Sequence, residues 1–247
     1  MATVMNRMSR AASTVGFDRQ VRWLRSKLKA EHPTARRERL DNEHLRLLMT
    51  FLLRADSNCV DVGAHQGAML ADIVRLAPQG RHLAYEPIPT YYQRLSTMFP
   101  NVEVRQAALA DKDGEATFNY VTNMPGMSGL HQREYPQRPQ VERLTVRTER
   151  LDDHLPPGYA PDLIKIDVEG AEHLVLAGAR QTIRAHHPTL VVEYGRGTQP
   201  YTGFGPEEMY HLLTDDLGYR IFDLDGNGPY TLTEFTTTTH WQFVAHL

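Results

Sequence analysis

The chain has 247 residues, 41% of them hydrophobic and 23% charged, with a formal net charge of −3. That length is enough for one large core, no stretch approaches the ~18 apolar residues a membrane span needs, and the single cysteine, Cys59, excludes an internal disulfide. A soluble protein of a reducing, cytoplasmic compartment is expected.

The net charge conceals a split. Residues 1–40 hold ten Lys/Arg against Asp18, Glu31 and Glu38, about +7, which leaves about −10 on the remainder. Phe17, Val21, Leu24 and Leu28 recur at helical spacing among Arg19, Arg22, Arg25 and Lys27, so a basic helical arm over 1–40 is expected before a single domain over 41–247. The arm would pack on the domain or on a second subunit, which makes a homodimer the expected assembly. An organelle transit peptide is the competing reading of MATVMNRMSRAASTVGF. The acidic body speaks against a nucleic-acid partner.

Residues 41–54 read as a buried helix with Asp41 as N-cap. The strand SNCVDV follows, then the turn GAHQG and the helix MLADIVRLA. HLAYEP is a second strand, with the helix YYQRLSTMF behind it, and VEVRQAAL a third. ATFNYV and RLTVRTERL look like strands around the loop TNMPGMSGLHQREYPQRPQ. DLIKID and TLVVEYG are separated by a helix with Val175, Leu176, Ala179 and Ile183 on one face. The helix PEEMYHLLTDDL then leads to the strands YRIFDLD and HWQFVAHL, which have no helix between them and are expected to form an antiparallel hairpin. Strands alternating with helices predict an α/β fold, a mostly parallel doubly wound sheet of about seven strands with one antiparallel strand and helices on both faces. Ligands bind beyond the carboxyl ends of such strands.

In VDVGAHQG, Asp61 ends a strand and Gly63 and Gly67 frame the turn. A dinucleotide site would need a middle glycine and no acid before the first one. Here position 65 is His, and Asp61 would repel a pyrophosphate while favouring the cationic amino group and sulfonium of S-adenosylmethionine. Glu86, ending the second strand, is placed to accept both hydrogen bonds of a ribose diol. In the alternative reading Asp61 caps the next helix and Glu86 is solvated.

The stretch DLIKIDVEGAEHLVLAGA resembles the signature of the FkbM-type methyltransferases, and VDVGAHQG and YEPIP match that family's donor motifs in order and spacing. The resemblance covers residues 57–195 well, the C-terminal strands loosely and the basic arm not at all. It implies a Rossmann-like class I methyltransferase fold that uses S-adenosylmethionine to methylate hydroxyls of sugars, polyketides or other natural products. It further implies that Asp61, Gly63 and Glu86 touch the donor, with His65, Gly67 and Pro87 in the same motifs. The Ala107–Ala108 backbone would lie near the adenine, and Asp167 and Glu169 at the junction of donor and acceptor. A structural cap is the alternative for Glu169.

Methyl transfer from a sulfonium requires the protein to align an acceptor oxygen and manage one proton. Asp167, Glu193 and His240 stand at three strand ends on the crevice edge. Asp167 and Glu193 are expected to position the acceptor and to hold Mg²⁺, and His240 or Glu193 to remove the proton. A hydrogen-bonded rim histidine is the other reading of His240. Tyr194, Arg196, Tyr201 and His131, in loops on the same edge, are candidates for contacting a small-molecule or oligosaccharide acceptor. DLDGNGPYTLTE fits a calcium-loop expression, but its strand-like flanks and hairpin-turn composition argue against an ion there. The competing classes are a non-catalytic protein that binds the donor and a nicotinamide dehydrogenase; the first turn disfavours the latter.

Overall fold

The structure, a computed structural model, describes residues 33–247 except Gly195 and the side chain of Arg196. Most of the expected arm over 1–40 therefore lies outside the described residues. The chain divides into two units, Met1–Glu43 and His44–Leu247. No helix among the described residues is long and apolar enough to cross a membrane.

Helix α1, Pro33–Leu52, starts eight residues before the expected Asp41 cap. A proline is tolerated in a first helical turn, where its missing N–H has no partner to lose. Asp41 lies within the helix and accepts from Arg37 Nε at 2.9 Å, so its carboxylate serves an i,i+4 ion pair rather than a cap.

The main sheet contains β1 (Cys59–Val62), β2 (His82–Tyr85), β3 (Glu103–Arg105), β7 (Leu163–Ile166), β8 (Thr189–Glu193), β9 (Arg220–Asp223) and β10 (Gln242–His246). Its order is β3-β2-β1-β7-β8-β10-β9, and β10 alone runs against its neighbours. The order reverses between β1 and β7, which opens the ligand crevice there. The central strands β1, β2 and β7 are short and almost wholly buried because helices cover both faces. Leu45 and Met49 of α1 and Ile73 of α2 (Ala68–Leu76) pack with Cys59, Leu163, Val191 and Val244. Leu95 of α3 (Pro89–Met98) joins Leu70 and Ala84 on the same side. On the opposite face lie the short α4 (Leu151–His154), α5 (Glu172–Gly178) and α6 (Arg180–His186). They contribute to a second core with Val60, Val62, Ile164 and Ile166. Val175, Leu176, Ala179 and Ile183 are all fully buried there, as their spacing required.

Three expectations need correction. The run VEVRQAAL is not one strand: β3 pairs with β2, whereas β4 (Ala108–Leu109) pairs with β6 (Val141–Glu149). With β5 (Gly114–Val121), these make a second sheet of order β4-β6-β5. The helix after β7 is broken at Ala179, beside Gly178, where a Cβ would sit 2.0 Å from the Ala110 carbonyl oxygen. The last two main-sheet strands do pair antiparallel, but no simple hairpin joins them. After α7 (Gln199–Thr202) and α8 (Pro206–His211), a further helix, α9 (Leu232–Thr237), stands between β9 and β10. Thr231 and Glu234 form its capping box, a T-x-x-E signal inside YTLTEF that outweighs the β-propensity of those residues.

Candidate active site

The first βα turn is shaped by backbone needs. Gly63 has φ +77, and a Cβ there would lie 1.9 Å from the Asp167 carbonyl oxygen, so only glycine lets β1 and the end of β7 approach this closely. His65 also takes a left-handed conformation, φ 48, which turns its backbone N–H onto Glu86 Oε2 at 2.8 Å. Glu86 Oε1 accepts from Ile88 N at 2.8 Å. Two backbone donors thus lock a carboxylate that is only 3% exposed, and each oxygen keeps a spare acceptor position. Burial pushes this carboxyl up to about 7, against the pull of the two N–H groups.

A cavity open to solvent lies at this edge. Gly63, His65, Glu86, Pro87, Ala107, Ala108, Asp167 and Glu169 line it, so one space gathers most of the residues expected to hold the donor. The remaining wall was not foreseen. Ile88, Phe118 and Leu130 supply an apolar bed, and Phe118 and Leu130 come from β5 and the loop behind it. The second sheet is therefore part of the site.

Asp61 is not a lining residue. It is 1% exposed, and neither carboxylate oxygen accepts a hydrogen bond among the described residues. Its charge faces Lys165, whose Nζ lies 3.4 Å from Asp61 Oδ1 and 3.2 Å from Asp167 Oδ2 and donates to the Gly63 carbonyl at 3.0 Å. Burial works against the Lys165 charge, but Asp167 and Asp61 outweigh it and hold its pKa above the usual lysine range. One buried ammonium thereby ties the glycine turn to the end of β7. Gly67 is not at the cavity either: a Cβ on it would meet Leu95 Cδ2 at 2.6 Å, so its role is to let α3 pack.

Beyond Asp167 the polar groups continue. Ligand oxygens of Asp167, Glu169 and Glu193 lie within 4.8 Å of one another. Glu169, in left-handed backbone at φ 58, is ion-paired with Arg133 of the loop after β5. Glu193 accepts from Gln242 Nε2 at 2.8 Å, and burial, helped by the Asp167 charge, pushes its carboxyl up to about 8. Glu172, 1% exposed, accepts from Gly170 N at 2.9 Å and so fixes the bend after β7.

Several acceptor and proton-transfer expectations fall elsewhere. His240 Nε2 lies 3.5 Å from Asp223 Oδ2, and His240 does not join the Asp167, Glu169 and Glu193 group. Tyr194 is 4% exposed and stacked on Phe235 in the core, so it is not free to meet a ligand. Tyr201 is 50% exposed on α7. His131 is half-buried and stacked on His173, and its Nε2 has no partner among the described residues. The side chain of Arg196 is outside the described set. In the calcium-like loop, Asp223 Oδ1 accepts from Asp225 N and Asn227 N, and Oδ2 from Asn227 Nδ2 and the Tyr230 hydroxyl. All four acceptor positions of that carboxylate are engaged in building the turn.

Residues 61–221 match the Methyltransferase FkbM domain family. Methyltransferase sdnD of Sordaria araneosa is 29% identical over 195 residues, which is 66% of this chain and 73% of that one. The 2-O-methyltransferase NoeI of Sinorhizobium fredii (strain NBRC 101917 / NGR234) is 28% identical over 155 residues, 56% of this chain and 63% of that protein. The crystal structure of Methyltransferase FkbM from Methylobacillus flagellatus KT superposes with a TM-score of 0.50 at 20% identity, covering 80% of this chain and 45% of that one, a likeness of fold. With the glycine turn, the strand-end acids and the signature stretch in one crevice, the chain belongs to the FkbM methyltransferase family.

Proposed function

We propose that the protein is an S-adenosylmethionine-dependent O-methyltransferase acting on a hydroxyl of a sugar or glycan-type acceptor. The observation that carries this reading is the single cavity joining the Gly63 turn, the doubly anchored Glu86 and Asp167. The donor fits these groups. Glu86 has spare acceptor positions for a ribose diol, the bed of Ile88, Phe118 and Leu130 suits an adenine, and Asp167 presents a carboxylate to a cation at the cavity wall. Bound there, S-adenosylmethionine supplies an activated methyl group. Asp167, which lines the cavity, would stand beside the sulfonium. Glu193, one strand further along, would take the proton of the acceptor hydroxyl during methyl transfer. The relative NoeI, a 2-O-methyltransferase by name, supports oxygen as the acceptor atom. A polyketide or lipid-type hydroxyl is the alternative acceptor.

The test is calorimetry with S-adenosylmethionine and S-adenosylhomocysteine, followed by transfer of labelled methyl to a panel of glycosides. Asp167→Asn is expected to weaken the sulfonium form by about 30-fold or more while changing affinity for the neutral thioether form far less. Equal losses for both would overturn the placement of Asp167.

A second form of the mechanism has Asp167, Glu169 and Glu193 holding Mg²⁺. Their closely grouped hard oxygens fit that ion, which would favour the acceptor alkoxide. Transfer that ceases in EDTA and returns with Mg²⁺ supports this form; transfer unaffected by EDTA removes it. The homodimer and the cytoplasmic setting remain part of the proposed reading, with the subunit number checked by sedimentation of the full chain.

A further inference from the structure

The polar groups at the carboxyl edge form a row across the main sheet. Asp61 in β1 is paired with Lys165 in β7, Lys165 with Val191 in β8, and Glu193, two residues further on, with Gln242 in β10. Residues paired across strands share a face, as do residues two apart in one strand. The row thus begins beside the donor cavity and ends at Gln242, the first residue of the reversed strand.

Gln242 is only 8% exposed. Its Nε2 donates to Glu193 Oε2 at 2.8 Å, while its carbonyl oxygen, Oε1, is buried with no hydrogen-bond partner among the described residues. With Glu193 ionised, the state in which it accepts a proton, the amide is held this way round, because its oxygen would otherwise face the carboxylate, acceptor against acceptor. A buried acceptor without a donor is unfavourable unless something else supplies one. The group beside it, Glu193, is the proposed proton acceptor for the reacting hydroxyl, so the missing donor belongs on the same substrate, next to that hydroxyl.

We infer that Gln242 is a specificity-determining residue that reads a second hydroxyl, so that the acceptor is a vicinal diol. The reacting hydroxyl gives its proton to Glu193, and its neighbour donates to Gln242 Oε1. A lone alcohol satisfies Glu193 only and leaves the amide oxygen unpaired. The inference rests on the proposed transfer to a hydroxyl.

The test uses the full chain loaded with S-adenosylhomocysteine and two fragment probes, cyclohexane-1,2-diol (cis and trans) and cyclohexanol, titrated by ligand-observed NMR. The wild-type protein is expected to bind one diol isomer about 5-fold more tightly than cyclohexanol, the contribution of one neutral hydrogen bond. Gln242→Leu should bring the two affinities together with S-adenosylhomocysteine affinity retained, a result that a merely structural role for the amide would not give. Equal affinities in the wild type, or no measurable binding of either probe, overturn the inference whatever the variant does. Failure of S-adenosylhomocysteine to bind at all sinks the donor reading, and this inference with it; bound nucleotide with no diol preference sinks only the second.

Discussion

Replacing Gly63 by alanine is expected to reduce affinity for S-adenosylhomocysteine by at least about 100-fold. Two costs combine. An L-residue held at φ +77 is strained by about 1–2 kcal/mol. The added Cβ would also sit 1.9 Å from the Asp167 carbonyl oxygen, and no rotamer can move a backbone atom aside. The turn must therefore shift away from β7. That shift disturbs the hydrogen bonds from Gly63 N and Ala64 N to the Tyr85 carbonyl, at 3.0 and 3.1 Å, and the one from Lys165 Nζ to Gly63 O. These contacts place His65 N on Glu86, so the ribose acceptors move with the turn. Gly218→Ala is the control. Its φ of +80 imposes similar strain, but no atom lies within 4 Å of its Cβ position. It should lower the melting temperature by a few degrees, about 2–4 °C per kcal/mol for a chain of this size, and leave nucleotide binding intact. If Gly63→Ala binds S-adenosylhomocysteine as the wild type does, the turn is not part of the donor site.

The contrast between these glycines shows what a sequence conveys. A strand ending at Asp61, a glycine turn and an acid at the next strand end are all local patterns, and they locate the crevice at Gly63, Glu86 and Asp167 without any knowledge of packing. The same local reading assigns Gly67 to the donor, whereas its missing side chain makes room for Leu95 and Phe99, a contact made by residues about 30 positions further along. Direction within the site is also hidden. Tyr194 and Glu193 are sequence neighbours, but strand alternation sends the tyrosine into the core and the carboxylate into the polar row. Phe118 and Leu130 carry no donor-site signal, since nothing in ATFNYV or the loop behind it says that a second sheet will stand against the first. His240 illustrates the limit for proton transfer. The sequence places it at the start of the last strand, but β10 begins two residues later at Gln242, and the carboxylate beside its ring, Asp223, is fixed by a turn whose hydrogen bonds only the folded chain reveals.

On the proposed mechanism, that distribution of partners separates the two candidate bases. Glu193→Gln is expected to lower kcat by about 10²–10⁴-fold, the range for removing a general base, with donor affinity nearly unchanged because Glu193 does not line the cavity. His240→Ala should cost far less, since its imidazole lies against Asp223 and not the acid group. The pH profile gives an independent check. A base must be ionised to accept a proton, and burial reinforced by Asp167 pushes the Glu193 carboxyl up to about 8. Wild-type kcat/KM should therefore rise about tenfold per pH unit below that value and level off above it, because the free enzyme holds this carboxyl mostly protonated at neutral pH. Once the sulfonium is bound, its positive charge favours the carboxylate, so the corresponding rise in kcat should fall at lower pH. Glu193→Gln should flatten both rises. A variant that keeps the wild-type profile at reduced amplitude would move the proton to another acceptor.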